Sequence, residues 1–133
     1  MKSPEDILRE SRTIALVGAS PDPDTPSHEV MRYLLARGYN VVPVRPGDTE
    51  KVLGVRCVAS LSKIGEPIDL VDVFRRAEHT PAHAREAVDA GAKALWLQLG
   101  IRSDEARRIA TEGGLEYVED ACTAVVHRRM ERI

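Results

Sequence analysis

Gly18, Ser20, Ser27 and His28 lie along "VGASPDPDTPSHEV" as the donors of a phosphate-binding turn would. Four apolar residues, 14–17, run into Gly18, as a buried strand runs into a tight turn. The N–H groups of Ala19 and Ser20, and those of a helix beginning near Thr25–Ser27, are free to bind an anion. Ser20, Thr25, Ser27 and His28 add side-chain donors. Pro21, Pro23 and Pro26 have no N–H, so this loop offers fewer backbone donors than a glycine-rich one. It is also stiffer and loses less entropy when a ligand binds. The two further glycines of the dinucleotide fingerprint are absent. The competing reading is an ordinary proline-rich connection.

Arg45 follows the second strand, in "VPVRP". NAD-binding sheets usually carry an acid here to hold the ribose hydroxyls. A planar guanidinium instead favours an extra phosphate on the adenosine ribose. Two ligand classes fit, NADP and coenzyme A, and the competing reading is a surface arginine. Arg75 and Arg76 follow the third strand, where they could touch a phosphate or stabilise a helix end. Gln98 leaves the fourth strand as an amide that must find partners, beside a core or pocket-wall Trp96.

Other reactive residues form no site by spacing. His79 and His83 stand i, i+4, but no third metal ligand follows, so a solvated helix start is the better reading. Cys57 and Cys122 are expected to be reduced thiols, and Cys122 to lie on the ligand side of the sheet.

The elements that must position these residues alternate. "SPEDILRE" is expected to open a short helix, with Ser3 as cap, Pro4 at the first position and Asp6 at capping-box spacing. Strands are predicted in "TIALVG", "YNVVPV", "GVRCV", "IDLVDVF", "KALWLQLG" and "LEYV", because each is a short apolar run bounded by turn residues. "SLSKIG" is at most a turn of helix. Helices are predicted in "SHEVMRYLLARG", "TPAHAREAVDAG", "SDEARRIATEGG" and "TAVVHRRMER". Gly38 and Gly91 stop the first two, Thr80 and Ser103 are expected to cap the second and third, and the acids after Ser103 suit a helix N-terminus. Apolar strands alternating with helices predict a Rossmann-type, doubly wound parallel α/β sheet, with helices on both faces and a single domain over residues 1–133. Such a sheet binds its ligand at the strand carboxyl ends, near the point where strand order reverses. The residues after Val17, Val44, Val73 and Leu97 are therefore the candidates.

Bulk properties narrow the function. A chain of 133 residues with 43% apolar and 30% charged residues holds one folded core. A net charge of −2 and 4% aromatic residues argue against nucleic acid and anionic membrane as partners. No apolar run approaches the roughly 18 residues of a membrane span. The start, "MKSPEDILRE", has no apolar export core, so a cytoplasmic location is expected.

Taken together, "VGASPDPDTPSHEVMRYLLARGYNVVPVRP", "DLVDVFRRAEHTP", "GAKALWLQLGI" and the Cys122–His127 stretch resemble the stand-alone CoA-binding proteins. These are small bacterial relatives of the N-terminal domain of the succinyl-CoA synthetase alpha subunit. The likeness runs from about Thr13 to Met130, carried by the order and spacing of segments rather than by one motif. It implies a Rossmann-type sheet that binds coenzyme A. It implies the diphosphate at Gly18, Ala19 and Ser20 and at the helix carrying Ser27 and His28. It puts the adenosine end near Pro43, Val44, Arg45 and Pro46, and the pantetheine side near Val73, Phe74, Arg75 and Gln98–Gly100. Nothing resembles the synthetase's second domain with its phosphorylated histidine, so ligase activity is not expected. The resulting expectation is a domain that binds coenzyme A or a short acyl-CoA and has no catalytic activity of its own. The alternatives are an NADP-dependent oxidoreductase, which keeps Arg45, and a regulatory partner that presents bound CoA to another subunit.

Overall fold

The computed structural model describes residues 2–47 and 50–131. Apolar runs become strands and capped amphipathic runs become helices, in the order α1 (Pro4–Glu10), β1 (Thr13–Val17), α2 (Pro26–Ala36), β2 (Asn40–Val44), β3 (Lys51–Val52), β4 (Val55–Arg56), β5 (Leu70–Val73), α3 (Thr80–Asp89), β6 (Ala94–Leu97), α4 (Asp104–Glu112), β7 (Glu116–Val118) and α5 (Thr123–Met130). Single 3-10 turns cover Leu61–Lys63 and Ala77–His79.

Five strands form one parallel sheet in the order β2-β1-β5-β6-β7. The sheet is covered on both faces. Ile14, Leu16, Leu70 and Trp96 pack under α1, α2 and α5. Val17, Val71, Val73, Leu95 and Leu97 pack under α3 and α4. This two-sided burial is why the strands read as unbroken apolar runs. The chain moves to one side of β1 to build β2, then crosses to the other side for β5, β6 and β7. Strand order therefore reverses between β1 and β5, and the strands end at Val17, Val44, Val73 and Leu97 as expected.

Ser3 accepts from Asp6 N at 3.1 Å and Ser103 from Ala106 N at 3.1 Å, so both caps form as predicted. Thr80 differs. It is the first residue of α3, and its hydroxyl donates to Ala77 O at 2.7 Å, because a 3-10 turn runs directly into the helix and makes His79 the cap position. "GVRCV" holds the short strand expected there, but in a hairpin outside the parallel sheet. Val55–Arg56 is the return strand of a hairpin with Lys51–Val52, turned by Leu53 and Gly54 at positive φ. Val58 then pairs with Val44 at the end of β2. The hairpin thus holds the backbone at Arg45, whose N–H donates to Val58 O at 2.8 Å.

Candidate functional site

The turn after β1 sits at the reversal of strand order. Gly18 N donates to Val44 O at 3.2 Å, and Phe74 N donates to Val17 O at 2.8 Å, so the ends of β2, β1 and β5 are tied together. Gly18 has φ +91, and a Cβ there would stand 2.6 Å from Phe74 O and 3.3 Å from Arg75 Cδ. Glycine is required by conformation and by space. The loop beyond is braced from within: Ser20 Oγ accepts from Asp22 N at 3.1 Å, and Asp22 Oδ1 accepts from Asp24 N at 2.9 Å.

Helix α2 starts at Pro26 without a side-chain cap, because the Thr25 hydroxyl turns back to Asp22 O at 2.8 Å. Proline supplies no N–H, so the Ser27 and His28 N–H groups form the helix's free positive end. Ser27 borders a cleft of about 610 Å³. Gly18, Ser20, Thr25, Ser27 and Val30 form one wall. Phe74, Arg75, Arg76, Gln98, Leu99, Ile101 and Cys122 form the other. Arg75 is half-buried and, among the described residues, has no hydrogen bond or ion pair. Arg76 is far more exposed and lies 4.0 Å from Glu78.

Of the residues singled out by sequence, the cleft gathers Gly18, Ser20, Ser27, Phe74, Arg75 and Gln98. Ala19 and Val73 are buried beneath it, and the Ala19 N–H, expected to be free for an anion, instead donates to Val44 O at 3.4 Å because the end of β2 lies against the turn. The His28 side chain falls on the buried face of α2, with only 8% of the residue exposed, and His28 lies outside the cleft lining. Gly100 lies outside the lining, and its N–H donates to Asp120 Oδ1 at 2.7 Å. Val44 and Pro46 border a separate small cavity of about 70 Å³, which shares Arg75 with the cleft. Pro43 is a buried member of β2. Arg45, half-buried beside it, donates from Nη1 to Ala19 O at 3.2 Å. The His79/His83 pair is not a joint site: His83 Nδ1 is 2.9 Å from Glu86 Oε1.

The arrangement also includes residues not singled out by sequence. Asp72, in the middle of β5, is 0% exposed, as is Thr123 at the start of α5. Gln98 Nε2 donates to Asp72 Oδ1 at 2.5 Å and to Thr123 Oγ1 at 3.0 Å, and the Thr123 hydroxyl donates to Asp72 Oδ2 at 3.0 Å. Among the described residues Asp72 has no ion pair. Burial pushes its carboxyl up to about 7, against the pull of the Gln98 and Thr123 donors. The available signal was a carboxylate inside the apolar run "LVDV". Trp96 is core, with Nε1 donating to Ala121 O at 2.8 Å.

A family model described as a CoA binding domain matches residues 12–128. The protein YneT of Bacillus subtilis (strain 168) is 40% identical over 123 residues, spanning 92% of this chain and 90% of that one. A hypothetical protein from Pyrococcus horikoshii OT3 superposes with a TM-score of 0.92 at 39% identity, over 98% of this chain and 93% of that one. A Thermus thermophilus structure described as cell-free ID.343 gives 0.91 at 38% identity, over 97% and 99% of the two chains. Among the described residues no helix is long and apolar enough to cross a membrane.

Proposed function

Because the chain belongs to the CoA-binding domain family, we propose that it binds coenzyme A, free or as a short acyl thioester, in the cleft between α2 and the ends of β1, β5 and β6. The observation that carries this reading is Arg75. A half-buried guanidinium that forms no ion pair among the described residues, packed on Gly18 at the reversal of strand order, calls for an anion. The free end of α2 faces the same space, and a diphosphate satisfies both. The adenosine end lies toward Pro43–Pro46, where Arg45 takes the phosphate on the ribose. The pantetheine arm runs along Phe74 toward Gln98.

The protein carries out no reaction of its own in this reading. Among the described residues lining the cleft are arginines, hydroxyls, one thiol and one amide, with no carboxylate, histidine or lysine to move a proton. Coenzyme A added to dialysed protein is expected to raise the melting temperature, because a ligand that binds only the native state stabilises it. NAD and NADP at equal concentration are expected to do little. Native mass spectrometry is expected to retain an adduct of coenzyme A mass. Equal stabilisation by NADP would overturn the reading.

A further inference from the structure

The buried triangle of Asp72, Gln98 and Thr123 has a direction. When Asp72 is ionised its carboxylate only accepts hydrogen bonds, so the Gln98 group facing it is then the NH₂. Both of those protons are used, one by Asp72 Oδ1 and one by Thr123 Oγ1. The Thr123 proton is used by Asp72 Oδ2, which closes the ring. Turning the amide over would set its oxygen against the carboxylate and leave the Thr123 oxygen without a donor. Among the described residues none donates to the Gln98 carbonyl oxygen. It is nevertheless not a buried orphan, since among the described residues the one buried side-chain polar atom without a partner is His28 Nδ1. Oε1 is therefore open to solvent, and the opening that Gln98 borders is the cleft.

We propose that Gln98 reads the ligand through this oxygen, accepting an amide N–H of the pantetheine arm, and that Asp72 and Thr123 are positioning residues that hold the amide in the accepting orientation. The proposal rests on the coenzyme A reading and adds to it a residue that tells coenzyme A from its bare nucleotide. The lock gives a role to a carboxylate that sits inside the sheet with no ion pair among the described residues. A neutral partner would fix neither face of the amide, because an asparagine amide donates as readily as it accepts. The site then prefers a ligand donor over a ligand acceptor at this point, since an acceptor would face an oxygen that cannot turn away.

The test is calorimetric titration at pH 8, where Asp72 is largely ionised, with coenzyme A and with adenosine 3′,5′-bisphosphate, which lacks the pantetheine arm. Gln98→Met keeps the length and removes the acceptor. It is expected to weaken coenzyme A by roughly two- to tenfold, the range of one neutral hydrogen bond, and to leave the bisphosphate unchanged. Asp72→Asn, which lets the amide turn, is expected to weaken coenzyme A within the same range and again to spare the bisphosphate. The combined variant loses no more than Gln98→Met alone. Full coenzyme A affinity in either single variant would overturn the proposal, as would an equal loss for the bisphosphate, which would mark a general structural defect. Wild-type protein that binds neither compound would remove the coenzyme A reading itself. The lock is then read separately from the Gln98 side-chain amide in a nitrogen–proton correlation spectrum of unliganded protein. Both amide protons are expected to exchange slowly, and rapid exchange of either one would overturn the lock.

Discussion

The backbones of Gly18 and Phe74 run so close together at the ends of β1 and β5 that a Cβ on Gly18 would stand 2.6 Å from the Phe74 carbonyl oxygen. The obstacle is main chain and cannot swing aside. Gly18 also sits at φ +91, where a side chain is strained whatever the space. Gly18→Ala is therefore expected to destabilise the protein by about 2–4 kcal/mol, from left-handed strain and overpacking together. It should also distort the turn enough to abolish coenzyme A binding at temperatures where the variant is still folded. Urea unfolding and titration calorimetry measure the two effects. An unchanged unfolding midpoint would mean that β5 gives way.

Arg45 and Arg75 are expected to hold different phosphates. A charge-assisted hydrogen bond contributes about 1.5–3 kcal/mol, so loss of either guanidinium should weaken coenzyme A roughly tenfold to a hundredfold. Dephospho-CoA separates the two roles. Arg45→Ala should bind coenzyme A and dephospho-CoA almost equally, because the substitution and the missing phosphate remove one contact. Arg75→Ala should weaken both ligands by the same factor. Additive losses in the Arg45 cycle would assign the ribose phosphate elsewhere, with Arg75 the first candidate.

Asp72 is expected to work against the fold at neutral pH. Its carboxyl titrates near 7 in the folded protein, from an ordinary value of 3.8. Between those values the folded state keeps a proton that the unfolded state has released. Unfolding free energy therefore falls as pH rises from about 4 to about 7 and is flat above. The penalty at pH 8 is on the order of 4 kcal/mol. Asp72→Asn is thus expected to be more stable than the wild type at pH 8, with the difference shrinking toward pH 5. Urea unfolding at the two values checks this, and a difference that does not change with pH would refute it.

Asp69, three residues earlier, should behave in the opposite way. Burial alone would raise its carboxyl, but the N–H groups of Thr13 and Arg12, at 3.0 and 2.9 Å, and the Lys93 ammonium outweigh it and hold it below the usual range. Its stabilisation is present above the unfolded value and lost as pH falls through the folded one. Asp69→Asn should cost about 1–3 kcal/mol at pH 7 and little below pH 3. A cost that persists at pH 2.5 would locate the effect in packing rather than charge.

Sequence by itself determined where the strands end and which helices start beside them. Apolar runs stopped by Gly18, Arg45 and Gln98, and caps such as Ser103, are local signals, and local sterics and hydrogen bonding decide them. The same locality made the tight turn at Gly18 and the helix starting beside it legible. The hairpin of Lys51–Val52 and Val55–Arg56 was only half legible, because two-residue strands are too short to show alternation. The pairings that give the cleft its chemistry were decided by tertiary structure. Arg75 meets Gly18 because β1 and β5 are neighbours, and Asp72 meets Gln98 because β5 and β6 are. Thr123 completes the triangle because α5 packs on the Trp96 face. The His28 ring turned inward for a related reason: helical phase against the sheet, not proximity to the turn, chose its direction. Strand order and helix phase are settled by burying both faces of the whole sheet at once, a condition that no stretch of a dozen residues contains.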